Sequence, residues 1–215
     1  MDYTSCPHCN TAIKDGLFNS NKIVDEHKKE GINLFLNKNS TAYCDKCFEQ
    51  QKYESRQQYN LLTNQFTKSI EDNLVHVPLI TLQHPVGWEY NVLKMVTAQC
   101  VTGEGALTEF SSSISEFFGT QSTRLNRKLK NGEEVCMSKL RLEAIANGGN
   151  AIIGTDIDYA EVGGQKGMLM VCMAGTAIRL NNPDIINADT PPILTKLLED
   201  IRKLNRVNSY GDLFV

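Results

Sequence analysis

The stretch ANGGNAIIGTDIDYAEVGGQKGMLMVCMAGTAIRL, residues 146–180, decides the fold. Asn147, Gly148 and Gly149 are a stop signal for a helix arriving from upstream, because a glycine just past the last turn takes the conformation that closes a helix. Ala151–Tyr159 is β-branched and apolar enough to be a strand, Gly163 and Gly164 mark a turn, and Met168–Leu180 is the next strand. From Met168 to Met173 every position is apolar, so both faces of its sheet need cover. Met168, Met170 and Cys172 project one way, and Leu169, Val171 and Met173 the other.

Reading outward from this stretch, residues 121–147 form a long helix with Leu125, Leu129, Leu140 and Ile145 inward. Asn131 and Gly132 weaken it, since an interior glycine costs about 1 kcal/mol relative to alanine. Before it, Ala106–Phe118 carries Leu107, Phe110, Ile114 and Phe117 at helical spacing and breaks at Gly119. Gly103-Glu104-Gly105 is a turn, and Val75–Leu82 and Tyr90–Val101 are strands. The order β-β-α-α-β-β argues an α+β fold, a small sheet with helices packed on one face. The other face must be covered by a separate helix or by another subunit. Residues 53–74 offer the helix, with Tyr59, Leu62, Phe66 and Ile70 three or four apart.

Four segments result: a module over residues 1–52, a linker helix over 53–74, the body over 75–180 and a tail over 181–215. The tail contains one amphipathic helix. Thr190 caps it, Pro191 suits its first turn, and Ile193, Leu194, Leu197, Leu198, Ile201 and Leu204 make its apolar stripe. Lys196, Glu199, Asp200 and Lys203 lie opposite.

The N-terminal module holds Cys6-Pro7-His8-Cys9 and Cys44-Asp45-Lys46-Cys47. A two-residue gap lets both thiolates of a pair reach one ion, and two pairs complete a tetrahedral shell. All four positions are then filled by protein, so the expected metal is one structural zinc per chain held by Cys6, Cys9, Cys44 and Cys47, in a zinc-ribbon-like module. His8 and His27 are spare ligands. Between the pairs, Ile32, Leu34 and Leu36 alternate as a short strand of a hairpin would. A module this short buries too little apolar surface to fold alone, so metal binding would supply its folding free energy.

Charge narrows the partners. The chain has 215 residues and a formal net charge of -3. Residues 1–56 carry eight basic side chains, from Lys14 to Arg56, and eight acidic ones, from Asp2 to Glu54. Four thiolates on a divalent ion add about two negative charges, so the module is not a basic footprint and nucleic acid is disfavoured. No run approaches the ~20 apolar residues that span a bilayer. Residues 1–6 have neither the basic nor the apolar region of a secretory leader, which makes a reducing cytoplasm the expected location.

Within the body, Val101–Glu104, Ala146–Gly154, Ile157–Tyr159, Met168–Met170 and Gly175–Ile178 together resemble the bacterial YbjQ-like family, known by a heavy-metal-binding label. The match runs from about Lys94 to Leu180. The resemblance implies a two-layer subunit that closes into a ring, typically a pentamer. It implies no established activity and no ligand set.

Metal and catalytic motifs in the body are sparse. Asp156 and Asp158 share one strand face, with Glu161 beyond them, and could hold a hard cation; polar residues at a strand end or a subunit contact are the alternative. Cys100, Cys136 and Cys172, in apolar surroundings, read as core residues beside methionines. Residues 163–167 lack the Gly-Lys-Ser/Thr ending of a phosphate loop. His76 and His84 have no recognisable partner. The sequence therefore points to a non-enzymatic, zinc-containing oligomeric binding or scaffold protein that handles a metal ion or small ligand. The alternatives are a zinc-dependent nucleic-acid-binding regulator and an enzyme with its site at a subunit interface.

Overall fold

A computed structural model describes residues 3–15, 20–102, 122–162 and 168–214, with the backbone alone over 122–126. The expected helix at 106–118 and the turns at 103–105 and 163–167 lie outside the described residues. The chain packs as two compact units, one formed by Met1–Ile70 with Glu199–Val215 and the other by Glu71–Leu198. The elements in chain order are α1 (Glu26–Phe35), α2 (Asp45–Leu74), β1 (Tyr90–Thr102), α3 (Ser122–Ala146), β2 (Ala151–Val162), β3 (Met168–Leu180) and α4 (Thr190–Asn208). Short 3-10 turns follow β3 at Pro183–Ile185 and α4 at Gly211–Phe214. The α+β class expected from the sequence is observed.

The second unit is built on a three-stranded antiparallel sheet of order β1-β3-β2. The all-apolar β3 lies in the middle, as a strand with two apolar faces should. Val96, Ala98, Ile152, Val171 and Met173 face α3, which answers with Cys136, Leu140 and Ala144. Leu140 is inward as expected, but Ala144 rather than Ile145 completes the stripe. The reason is the i, i+4, i+8 row from Cys136. Asn131 and Gly132 do not interrupt α3. Its end follows the expected chemistry, with Gly148 at φ 80 and the Gly149 N–H reaching back to the Ala144 carbonyl at 2.8 Å. That six-to-one bond closes the helix.

Val75–Leu82 is not a strand. It runs beside β2 with one isolated parallel bridge, Leu79 to Ile152. The Ile152 N–H donates to Pro78 O at 2.8 Å, and the Ile80 N–H donates to Ile152 O at 3.0 Å. Two features prevent a full ladder. Pro78 has no N–H to give, and β2 is bulged between Ile153 and Asp156, where Gly154 takes φ 59. On the sheet face away from α3, Ala151, Ile153, Ile178 and Leu180 are buried with Ile80, Trp88 and Tyr90 against them. Farther along that face the groove over Thr97, Gln99, Asp156, Asp158, Cys172 and Ala174 is open.

The first unit holds two apolar clusters. One gathers Val24, Ile32, Tyr43 and Phe48 around Cys6, Cys44 and Cys47. The other gathers Phe35, Val207, Leu213 and Phe214, with Tyr59, Leu62, Phe66 and Tyr210 packed on it. Two elements of this unit differ from the sequence expectation. The alternation at Ile32, Leu34 and Leu36 does not make a strand, because Asp25 caps a helix by accepting from the Lys28 N–H at 2.9 Å. Ile32 and Phe35, one turn apart on α1, then enter the two different clusters. The linker helix also begins earlier than residue 53. α2 starts at Asp45, directly after Cys44, and carries Cys47 on its first turn. On α4, Leu194 and Leu197 are buried as expected. Asp200, expected on the polar face, is 6% exposed and accepts from Ser69 Oγ at 2.6 Å.

Candidate metal centre

Each cysteine pair is held by its own local structure. In the first, the Asn10 N–H donates to Cys6 O and the Cys6 N–H donates to Thr11 O, both at 2.8 Å. This folds residues 6–11 into a tight loop. Asn10 closes the loop at φ 58, a left-handed conformation that asparagine tolerates better than most side chains. The second pair sits where an extended segment meets a helix. Val24 N–H donates to Tyr43 O at 3.0 Å, Asp45 N–H to Lys22 O at 2.9 Å, and Ile23 bridges Cys44. The Phe48 N–H then donates to Cys44 O at 3.0 Å, the first bond of α2. Cys44 and Cys47 therefore lie three apart on one helix face, at the end where helix dipoles favour negative charge.

The loop and the helix start bring the four sulfurs together. All four Sγ atoms lie within 4.8 Å of one another. Cys6 and Cys47 are 3.9 Å apart, and Cys9 and Cys44 are 3.8 Å apart. A regular tetrahedron of sulfurs with metal bonds of about 2.3 Å has edges of about 3.8 Å. The two cross-pair distances match that edge, so the donor set fits a tetrahedral thiophilic ion. Cys6 and Cys44 are fully buried, Cys47 is 2% exposed, and Cys9 alone is exposed.

The surroundings of the thiols differ. Thr11 Oγ1 lies 3.1 Å from Cys9 Sγ. Hydrogen bonds from the Thr11 side chain and then its backbone, with smaller help from Cys47 and Cys6, bring the Cys9 thiol down from 9.0 to about 6. Burial first, and then the neighbouring cysteines, push the Cys47 thiol well up. Bringing four such groups to one point is costly unless a cation neutralises them. His8, weighed as a spare ligand, has Nδ1 3.4 Å from Cys47 Sγ and its ring 5.0 Å from that of Tyr43. It is placed to support a ligand rather than to replace one. His27 hydrogen-bonds Asp212 at 3.0 Å instead. The supporting roles of His8 and Thr11 were accessible only as neighbours of the first pair in sequence.

The other candidates do not converge. Asp156 and Asp158 are exposed on the open groove with the half-buried Cys172. Among the described residues, the four cysteines are the group of three or more Cys, His, Asp or Glu whose ligand atoms come this close. Cys136 is buried under α3 and donates to Val171 O at 3.4 Å. Burial pushes its thiol up to about 11. Cys100 packs beside it, and Cys172 projects from the other face. His76 and His84 are exposed on the second unit.

A bulged three-stranded sheet backed by one long helix, joined to a four-cysteine module, defines the class of protein. Its body matches the family described as "Putative heavy-metal-binding" over residues 78–181. That match begins before the expected residue 94, because the segment alongside β2 belongs to it. A UPF0145 protein of Clostridium botulinum is 36% identical over 84 residues, 39% of this chain and 79% of that protein. UPF0145 proteins of Listeria grayi (36% over 85 residues, 40% and 80%) and Listeria ivanovii (34% over 91 residues, 42% and 83%) are similar. The chain belongs to this YbjQ-like UPF0145 family. The solved structure of a protein of unknown function from Pediococcus pentosaceus, of the DUF74 family, covers 48% of this chain and 96% of that one at 18% identity and a TM-score of 0.34.

Proposed function

We infer that the protein is a non-enzymatic, zinc-containing binding or scaffold protein that works as a cyclic homo-oligomer, most simply a pentamer, in a reducing compartment. The observation that carries the metal reading is the match of the Cys6–Cys47 and Cys9–Cys44 distances to the edge of a four-thiolate tetrahedron. Cys6, Cys9, Cys44 and Cys47 would hold the ion. With four protein thiolates no coordination position stays open, so the ion would supply cross-linking and charge neutralisation and not a reactive water. Zinc suits an all-thiolate tetrahedral set and needs no redox change to stay bound.

The oligomer reading rests on the open part of the sheet. Met95 is 68% exposed and Val101 43% exposed at the β1 side. The apolar stripe of α2 at Tyr59, Leu62 and Phe66 packs inside the first unit. A repeated head-to-tail contact must close or run on as a filament, and closure leaves no apolar edge exposed. Purified full-length chain should contain about one zinc per chain by metal analysis, and Cys44→Ser should lose it. Full zinc retention in a variant lacking all four cysteines would refute the metal centre. Native mass spectrometry should show a single closed species of several chains, and a monodisperse monomer at micromolar concentration would refute the ring. Among the described residues no helix is long and apolar enough to cross a membrane.

A further inference from the structure

α1 stands between the four-cysteine cluster and the apolar cluster around Phe214. Through Ile32, 1% exposed, it packs into the cluster around Cys6, Cys44 and Cys47. Through Phe35, 5% exposed, it packs against Val207, Leu213 and Phe214. Gly31 lies under the returning C-terminus so closely that a Cβ there would fall 2.5 Å from Leu213 Cδ1. The contact has polar fasteners as well. His27 Nε2 is 3.0 Å from Asp212 Oδ1, Tyr210 OH donates to Glu30 Oε2 at 3.1 Å, and the His27 ring stacks on Tyr210 with centroids 4.9 Å apart.

α1 is ten residues long, and helices shorter than about 12–15 residues are marginal in water without tertiary support. Its own entry is tied to the metal loop: Val24 bonds Tyr43 and Ile23 bridges Cys44 immediately before the Asp25 cap. The seat for the C-terminus is thus a short helix whose other side is anchored on the four thiols.

We propose that Val207–Phe214 is a metal-gated clasp, seated on α1 while the four thiolates hold their ion and released when the ion leaves. This rests on the metal reading given above. Linkage makes the coupling reciprocal: whatever loosens the clasp also weakens retention of the ion, by the same factor in equilibrium terms. Release would uncover Phe35, Leu213 and Phe214 together, a contiguous apolar surface that the loaded protein keeps covered. The chain would in that way convert metal occupancy into exposure of residues 207–214.

The test uses the full chain, with zinc content and hydrogen exchange measured on the same samples. Stripping zinc with a chelator should speed amide exchange in α1 and in residues 207–214 together, by at least about fivefold, the lower end of ordinary coupling. Exchange in β3 should not change, which separates release from general unfolding. In the reverse direction, Phe214→Ala should weaken zinc affinity, measured at equilibrium by competition with a chelating dye, by about fivefold or more, while Tyr53→Ala, an exposed position on α2, should leave it unchanged. Zinc present in the wild type, with 207–214 equally protected after its removal, would overturn the clasp alone. A zinc affinity of Phe214→Ala within twofold of wild type would also overturn it. Absence of zinc from the wild-type protein would overturn both the clasp and the metal reading.

Discussion

Gly31→Ala sets two effects of similar size against each other inside one short helix. In a helix interior, alanine is favoured over glycine by about 1 kcal/mol, so the substitution strengthens α1 itself. The new methyl, however, would stand 2.5 Å from Leu213 Cδ1 and 3.3 Å from Tyr210 Cδ1. The first distance is about 1 Å inside a normal carbon contact, so the Leu213 side chain must shift. Leu213 is 8% exposed, and overpacking of this kind costs about 1–3 kcal/mol. The four-residue 3-10 turn Gly211–Phe214 yields more readily than the ten-residue α1, which is tied to the metal loop. The expected result is a C-terminus that opens more easily over an unweakened helix. Hydrogen exchange by mass spectrometry should show residues 211–214 exchanging about fivefold faster or more, as a cost of about 1 kcal/mol or more requires, with α1 no faster than before. Unchanged or greater protection at 211–214 would show that the seat under Leu213 has room, and the reasoning from the 2.5 Å approach would fail.

Three further outcomes can be checked independently. Leu140→Ala removes a fully buried side chain between α3 and the sheet and should cost about 2–5 kcal/mol, read by urea unfolding through Trp88, the chain's one tryptophan; a loss below about 1 kcal/mol would mean that α3 does not fill that core. Ser69→Ala takes the hydroxyl from Asp200, 6% exposed, and a bond to a charged group is worth about 1.5–3 kcal/mol; circular dichroism of denaturant unfolding that shifts by less than about 0.5 kcal/mol would contradict it. Thr11→Val should raise the pH at which zinc is lost on acidification. The Thr11 hydrogen bonds hold the Cys9 thiol below its ordinary range, so its thiolate competes better with protons for the ion, and removing the hydroxyl moves the loss of zinc to higher pH. A midpoint that stays or falls would show that Thr11 does not favour the Cys9 thiolate.

Features that a single local signal can carry are legible in the amino-acid sequence alone. Two Cys-x-x-Cys pairs can be read without a fold, since a two-residue gap suffices to aim both thiols at one ion. β3 and the end of α3 were equally legible, one from an unbroken apolar run and the other from Asn147-Gly148-Gly149. Tertiary structure decided the cases in which two local signals competed. Ile32, Leu34 and Leu36 suit a strand, and Ile32 and Phe35 suit a helix; the Asp25 cap and the presence of one core on each side of α1 selected the helix. Val75–Leu82 has strand composition, yet Pro78 and the bulge in β2 deny it a ladder. Asp200 looked like solvent-facing charge until Ser69, 131 positions earlier in the chain, came within 2.6 Å of it. The return of the C-terminus onto α1 has no local signature at all. It depends on Phe35, Tyr59 and Phe214 meeting, and contacts across that much intervening chain are visible only once the whole unit has folded.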